Sequence, residues 1–246
     1  MNLVQALYLN NNVKPFDDIR VRQAMCYAID RKSILELTSE GKGTIIGSSM
    51  FPSFSKYYMP ELAQYYKQDI DKAKQLLSDA GYPNGFSMSI TVPSNYQPHI
   101  NTAEVLVEQL KNVGIDAKIN LVEWNTWLSD TYVGRNYEST VIGVDASYLT
   151  ARALLERFYS KADDNFTNFS DPEYDALYEK VIALTDEEEK TACYKEMEQI
   201  LTKDAANVYI QDMAEFVALR NTYEGYRFYP LYVLDMSRIK PKEAKQ

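Results

Sequence analysis

Hydrophobic and polar positions follow two different periods along the chain, and the changes of period mark its elements. Over residues 86–92, Phe86, Met88, Ile90 and Val92 alternate with Ser87, Ser89 and Thr91, the two-residue repeat of a half-buried strand. A second alternating run covers 115–121, with Ile115, Ala117, Ile119 and Leu121 set against Asp116, Lys118 and Asn120. Between them Ala103, Leu106, Val107 and Leu110 keep the spacing of one helix face, and Gly114 ends it. Strand, helix and strand with short connections predict a βαβ crossover whose strands are parallel. Just upstream, Asp69 is placed to cap a helix that turns Ile70, Ala73, Leu76, Leu77 and Ala80 inward. Gly81 suits the left-handed residue past its end, and Pro83 forbids continuation.

The flanks read less sharply. Residues 3–9 predict a strand. Asp17 and Asp18 open a helix that buries Val21, Ala24, Met25 and Ala28, and Asp30 caps a short second helix. Residues 41–59 show no period and predict a long loop crossing the surface. Asn125 is expected to cap a short helix running to Val133, and 137–144 a strand finishing at Asp145. A helix is expected over 146–159, with Leu149, Ala153 and Leu154 inward. Ser170-Asp171-Pro172 is a helix start, and Thr185 with Glu188 forms a capping box for the helix after it. Strand material lies in 208–220, an extended tyrosine-rich stretch in 223–239, and 240–246 are expected to be disordered. The pattern predicts an α/β fold with a mixed sheet and helices on both faces.

Composition removes several classes of function. With 26 basic against 35 acidic side chains the formal charge is −9, and no Lys/Arg cluster offers a nucleic-acid surface. The acidic run at 186–189 suits the start of a helix better than a metal site. No apolar run approaches the roughly 20 residues that span a bilayer, and the start lacks the basic and apolar regions of a signal peptide. Cys26, Cys193 and the single histidine, His99, are too few for a structural zinc site. The two thiols are expected to be reduced and partly buried. His99 lies in the turn-like stretch 93–99 and reads as an exposed side chain, without the G-x-S-x-G elbow that would accompany a triad. Phosphate-loop, GxGxxG and EF-hand patterns are absent, so no metal or cofactor is expected.

Three stretches together resemble one family. Pro15-Phe16-Asp17-Asp18-Ile19-Arg20-Val21-Arg22-Gln23-Ala24, continuing through Tyr27-Ala28-Ile29-Asp30-Arg31-Lys32, is similar to the signature of bacterial solute-binding proteins, family 5, the receptors of ABC importers for oligopeptides, dipeptides and nickel. Asp71-Lys72-Ala73-Lys74-Gln75-Leu76-Leu77 with Ala80-Gly81-Tyr82-Pro83-Asn84-Gly85-Phe86 resembles a second motif, and Asn168-Phe169-Ser170-Asp171-Pro172-Glu173-Tyr174-Asp175 a third. The resemblance implies a periplasmic-binding-protein-like (type II) fold, of which this chain is the second lobe. Residues 1–225 would form that lobe and 226–246 the tail returning to a missing first lobe. Met1 falls where family chains cross into the second lobe, so the sequence is either a truncated gene or an excised piece. The implied partners are a peptide or other small solute, the importer permease and the first lobe. The implied location is extracellular or periplasmic, with membrane anchoring in full-length relatives.

The resemblance also implies site residues. Asp145 stands where peptide binders place an aspartate that pairs with the ligand's α-amino group; alternatively it caps the helix expected from Ala146. The proline-containing acidic stretch usual beyond it is replaced by Ala146-Ser147-Tyr148-Leu149. Trp124 corresponds to an aromatic side chain of the cleft wall; alternatively it is core. Arg20 and Arg22 belong to the motif in a structural role. Binding without catalysis is the leading reading. A hydrolase using carboxylates near Asp145 and Glu123 is the alternative from another class, and a lobe that folds but no longer receives ligand is a third.

Overall fold

Six strands form one mixed sheet in the computed structural model of the protein, which describes residues 2–146, 148–229 and 234–242. In chain order the elements are β1 (Val4–Leu9), α1 (Ile19–Ala28), α2 (Arg31–Ser39), β2 (Thr44–Ile45), α3 (Ile70–Asp79), β3 (Ser87–Pro93), α4 (Gln97–Lys111), β4 (Asp116–Val122), α5 (Trp124–Thr126), β5 (Ser139–Val144), α6 (Ala151–Leu155), α7 (Pro172–Ala183), α8 (Glu187–Lys203) and β6 (Asn207–Asp212). The sheet order is β2-β6-β1-β5-β3-β4. β3 runs parallel to β4 through the α4 crossover, and parallel to β5, whereas β1 is antiparallel to both β5 and β6. A separate two-stranded sheet pairs β7 (Tyr223–Glu224) with β8 (Lys240–Pro241). Of the stretch expected to be disordered, 240–241 are thus paired, and 243–246 lie outside the described residues.

Every residue of β1 is buried, because the strand is covered on both faces and flanked on both edges. Leu7 and Leu9 join a core with Ile90, Val92, Val141 and the inner faces of α1, α3 and α4. Val4, Ala6 and Tyr8 point the other way, into a core built with Leu154, Tyr174, Tyr178, Met197 and Leu201. The mixed sheet with helices on both faces is therefore present as expected. Aspartate caps set several helix starts: Asp18, Asp30, Asp69 and Asp171 each accept a backbone N–H one turn in, contacts that stabilise by about 1 kcal/mol each. Gly81, at φ +94°, takes the left-handed position beyond α3.

Several expectations need correction. Residues 41–59 run along the surface only at their ends: 41–44, 53, 55 and 56 are exposed, but Ile46, Met50 and Phe51 in the middle are fully buried in the core shared with α8 and the sheet. The helix after β4 begins at Trp124 rather than beyond Asn125, and continues as a π-helical turn, Trp127–Val133. The helix expected from Ala146 starts at Ala151, where Thr150 accepts the N–H of Ala153, so Leu149 is exposed. Asp186, not Thr185, caps α8 through the N–H groups of Glu188 and Glu189. Cys26 and Cys193 are free thiols, and both are fully rather than partly buried.

Charged groups inside the fold are tied to the backbone. Arg22 donates to the carbonyls of Phe16, Asp204 and Ala205, and Arg31 to those of Cys26, Tyr66 and Tyr209. Arg20 stays outside, paired with Asp18. These motif arginines clamp the helices to the sheet. On α8, Glu198 is wholly buried; Ser48 Oγ donates to its Oε2 at 2.6 Å, while Oε1 has no hydrogen-bond partner. Burial lifts its carboxyl to about 8, against a smaller lowering by the Ser48 bond.

Candidate functional site

The parallel strands β3, β4 and β5 all end at one edge of the sheet, at Pro93, Val122 and Val144. Because β1 is antiparallel to its neighbours, its first residue pairs with the last residues of β5 and β6 at that edge: Val4 lies opposite Val144 and Asp212. In open α/β sheets this carboxyl edge is where a crevice forms as the strand order changes direction. Here a pocket of about 370 Å³ opens there, lined by Leu3, Tyr96, Pro98, His99, Trp124, Ile142, Gly143, Asp145 and Met213. The lining comes from the last residues of β5, the first turn of α4, the residues just past β3, β4, β5 and β6, and the residue just before β1.

Both residues singled out from the sequence line this pocket. Trp124 is half-buried; it meets Tyr96 edge-on at 5.4 Å and stacks on Trp127 at 5.3 Å with 8° between the rings. Trp127 beneath it is core, anchored by its indole N–H on Thr140 Oγ1 at 2.9 Å. Trp124 is thus a wall braced from behind rather than core itself. Asp145 is exposed at the rim and caps no helix, since α6 begins six residues later at Ala151. Asp145 is the only carboxylate among the lining residues, and no lysine or arginine joins it. Glu123 is not among them, so the paired carboxylates of a hydrolase are not brought together there. Among the described residues no group of three or more histidine, cysteine, aspartate or glutamate side chains could hold a metal ion.

Sequence reasoning missed His99. It is 5% exposed, lies in the first turn of α4 and forms part of the pocket lining. Its Nε2 accepts the N–H of Gly143 at 3.1 Å, and its Nδ1 lies 2.9 Å from the carboxamide of Gln5. Pro98 at the start of a helix was the available signal, because proline favours the first helical turn and would have moved His99 out of the preceding turn. Burial depresses the imidazole to about 4. Gly143 has its own reason to be glycine: a Cβ there would lie 2.5 Å from the Leu3 side chain, itself part of the pocket lining, which would have to shift.

Known proteins share this fold. The structure of DppA from Helicobacter pylori in complex with the peptide STSA superposes with a TM-score of 0.85 at 26% identity, covering 98% of this chain and 47% of that one. A dipeptide-binding protein from Pseudoalteromonas in complex with Met-Leu gives a TM-score of 0.84 at 26% identity, with 98% and 49% covered. In sequence, the chain is 29% identical to heme-binding protein A of Haemophilus influenzae over 231 residues, 91% of this chain and 42% of that protein. It is 27% identical to the dipeptide-binding protein of Escherichia coli, over 91% of this chain and 43% of that protein. The chain therefore spans less than half the length of these relatives. Residues 2–166 match the middle region of the bacterial extracellular solute-binding proteins, family 5, and the chain belongs to that family.

Proposed function

We propose that this chain is the second lobe of a two-lobed peptide receptor serving an ABC importer, and that its pocket takes the N-terminal residue of the peptide. The carrying observation is the pocket itself: a single carboxylate at the rim of an otherwise apolar and aromatic chamber, on the sheet edge where α/β folds seat ligands. Asp145 would accept a charge-assisted hydrogen bond from the peptide's ammonium group. Trp124 and Tyr96 would bound an apolar side chain, and the absence of Lys and Arg from the lining disfavours an acidic one. Recognition of this kind buries the ligand between walls and needs no nucleophile.

The other wall would come from a first lobe. The layered body ends at β6; beyond it Phe216, Leu219, Phe228, Leu234 and Met236 are exposed, and none of the described residues past Asp212 belongs to either core. An apolar surface of that kind suits contact with another folded unit. The permease, the extracellular location and membrane anchoring belong to the same proposal, as properties of the whole receptor. No helix among the described residues is long and apolar enough to cross a membrane.

One wall supplies about half the contacts while the entropic cost of capture stays nearly whole. Each roughly 1.4 kcal/mol lost weakens binding tenfold. Calorimetry should therefore detect no peptide binding to this chain alone at micromolar concentrations, and binding once a first lobe is joined to it. In that complete form Asp145→Asn should weaken peptides with a free amino terminus by about tenfold or more, and N-acetylated peptides far less. Equal losses for both ligand types would place the ammonium contact elsewhere.

A further inference from the structure

Past Thr140, β5 has a strand partner on one side only. Its ladder with β1 continues to Val144, but its pairing with β3 consists of Ile90 with Ser139 and Thr91 with Thr140. The two strands then part, and the pocket begins in the gap. A strand edge without a partner leaves its N–H groups unsatisfied and its end free to fray. At Gly143 the N–H is not left open, because His99 reaches in from α4 and accepts it. We infer that His99 is a positioning residue for the pocket: its imidazole replaces the absent β3 partner at Gly143, holds the end of β5 and Asp145 in place, and does so only as the neutral Nδ1–H tautomer.

The tautomer follows from the two neighbours. A neutral imidazole carries one proton and cannot accept at both nitrogens. The Gly143 N–H is fixed by the backbone, so Nε2 is the acceptor and Nδ1 bears the proton. As placed, Gln5 Nε2 faces Nδ1 at 2.9 Å, and Gln5 Oε1 accepts from Thr102 Oγ1 at 3.3 Å and from Gln211 Nε2 at 2.8 Å. With Nδ1 protonated, the Gln5 and Gln211 carboxamides must both be turned end for end, so that Gln5 presents its oxygen to Nδ1 and its NH₂ to Thr102 Oγ1 and the Gln211 oxygen. The chain of donors thus runs from Gly143 through His99 and Gln5 to β6, joining three strands behind the pocket. An imidazolium would set Nε2–H against the Gly143 N–H, donor against donor, and release the strand end.

The surroundings also disfavour that charge. Gln5 on β1 and Gln211 on β6 are neutral, as are Tyr96 and Trp124 from the neighbouring turns. The positive end of the α4 dipole repels a cation in its first turn. Asp145 at the rim and Asp212 at the end of β6 are the carboxylates of the neighbouring strand ends, and burial is what lowers His99, to about 4. The pocket floor is therefore fixed throughout the neutral range and loosens in acid. His99 would hold Gly143 whether or not a peptide is the ligand; only the consequence for affinity rests on that reading.

The test is nitrogen-15 NMR on the full chain without ligand. The His99 ring should show the Nδ1–H tautomer at pH 7, and the Gly143 amide should titrate with a midpoint near 4, following the ring. Gly143 protection from hydrogen exchange should fall about fivefold in His99→Leu, the worth of one hydrogen bond, while the Ile90 amide of β3 stays protected and reports an intact fold. His99→Gln can present an oxygen to Gly143 without titrating, so it should restore protection and abolish the acid transition. An Nε2–H tautomer, unchanged Gly143 protection in His99→Leu, or an acid transition at Gly143 that persists in His99→Gln would each overturn the assignment. If His99→Leu fails to fold, the wild-type tautomer and His99→Gln still decide.

Discussion

Replacing Glu198 by glutamine should make the protein more stable, by an amount that depends on pH in a defined way. In the unfolded chain this carboxyl ionises at its ordinary 4.5, whereas in the fold burial holds it protonated to about 8. Below 4.5 both states carry the proton and the group costs nothing. Between 4.5 and 8 only the folded state holds it, so folding stability falls by about 1.4 kcal/mol for each pH unit. At pH 7 that is roughly 3 kcal/mol, and above pH 8 the loss levels off near 5 kcal/mol. Glutamine has nearly the same shape as the protonated acid and can keep the contact with Ser48, but it has no proton to lose. Urea unfolding of both proteins from pH 5 to 9, with m unchanged, gives the difference directly. Every other titrating group is common to the two and cancels. The difference should be near zero at the acid end and widen steadily to pH 8. Parallel curves, or a variant less stable at pH 8, would mean that Glu198 is ionised inside the fold and that a cation compensates it.

Other outcomes follow from the buried groups. Arg31→Met should cost about 2–4 kcal/mol in urea unfolding, because it strips donors from three buried carbonyls, those of Cys26, Tyr66 and Tyr209; a change below 0.5 kcal/mol would show that those carbonyls find other partners. Cys26, with its thiol pushed up to about 11 by burial, and Cys193 beside Met197 in the opposite core should both resist thiol reagents in the native protein and react at once in denaturant. Rapid native labelling, or a disulfide between them by mass spectrometry, would contradict that burial.

What the sequence made legible was local. Asp30, Asp69 and Gly81 announce helix ends through their own backbone chemistry, and the alternation at 86–92 and 115–121 fixes which strand faces are buried. The crossover between them needs no distant partner to be read. Residues 41–59 were illegible because their burial comes from α8, some 150 positions away in the Ser48–Glu198 contact, and a segment buried by another element needs no period of its own. The true start of α6 lies five residues later: apolar Ala146 is buried ahead of the helix, which begins at Ala151, so burial there carries no helical information. Trp124 and Asp145 could be proposed from the family pattern, but only the fold brings them round one pocket with Tyr96 and His99. The role of His99 was hidden because it depends on where two strands separate, which no stretch of sequence specifies.

The order of strands in the sheet also bears on how the molecule is made. β1 precedes the other five strands of this sheet in the chain and sits between β5 and β6, the last two of the six to be synthesised, with Tyr8 opposite Thr140 and Asn207. At roughly 5–20 residues per second, about 10–40 seconds separate its appearance from that of β6. Until β5 appears this fully buried strand has neither neighbour, and until β6 appears it has only one, while the local β3–α4–β4 unit can already form. The centre of the sheet is thus its final part to close. Newly made chains would depend on β1 being shielded until the last strand arrives, and contacts this distant in sequence place the molecule among slow folders.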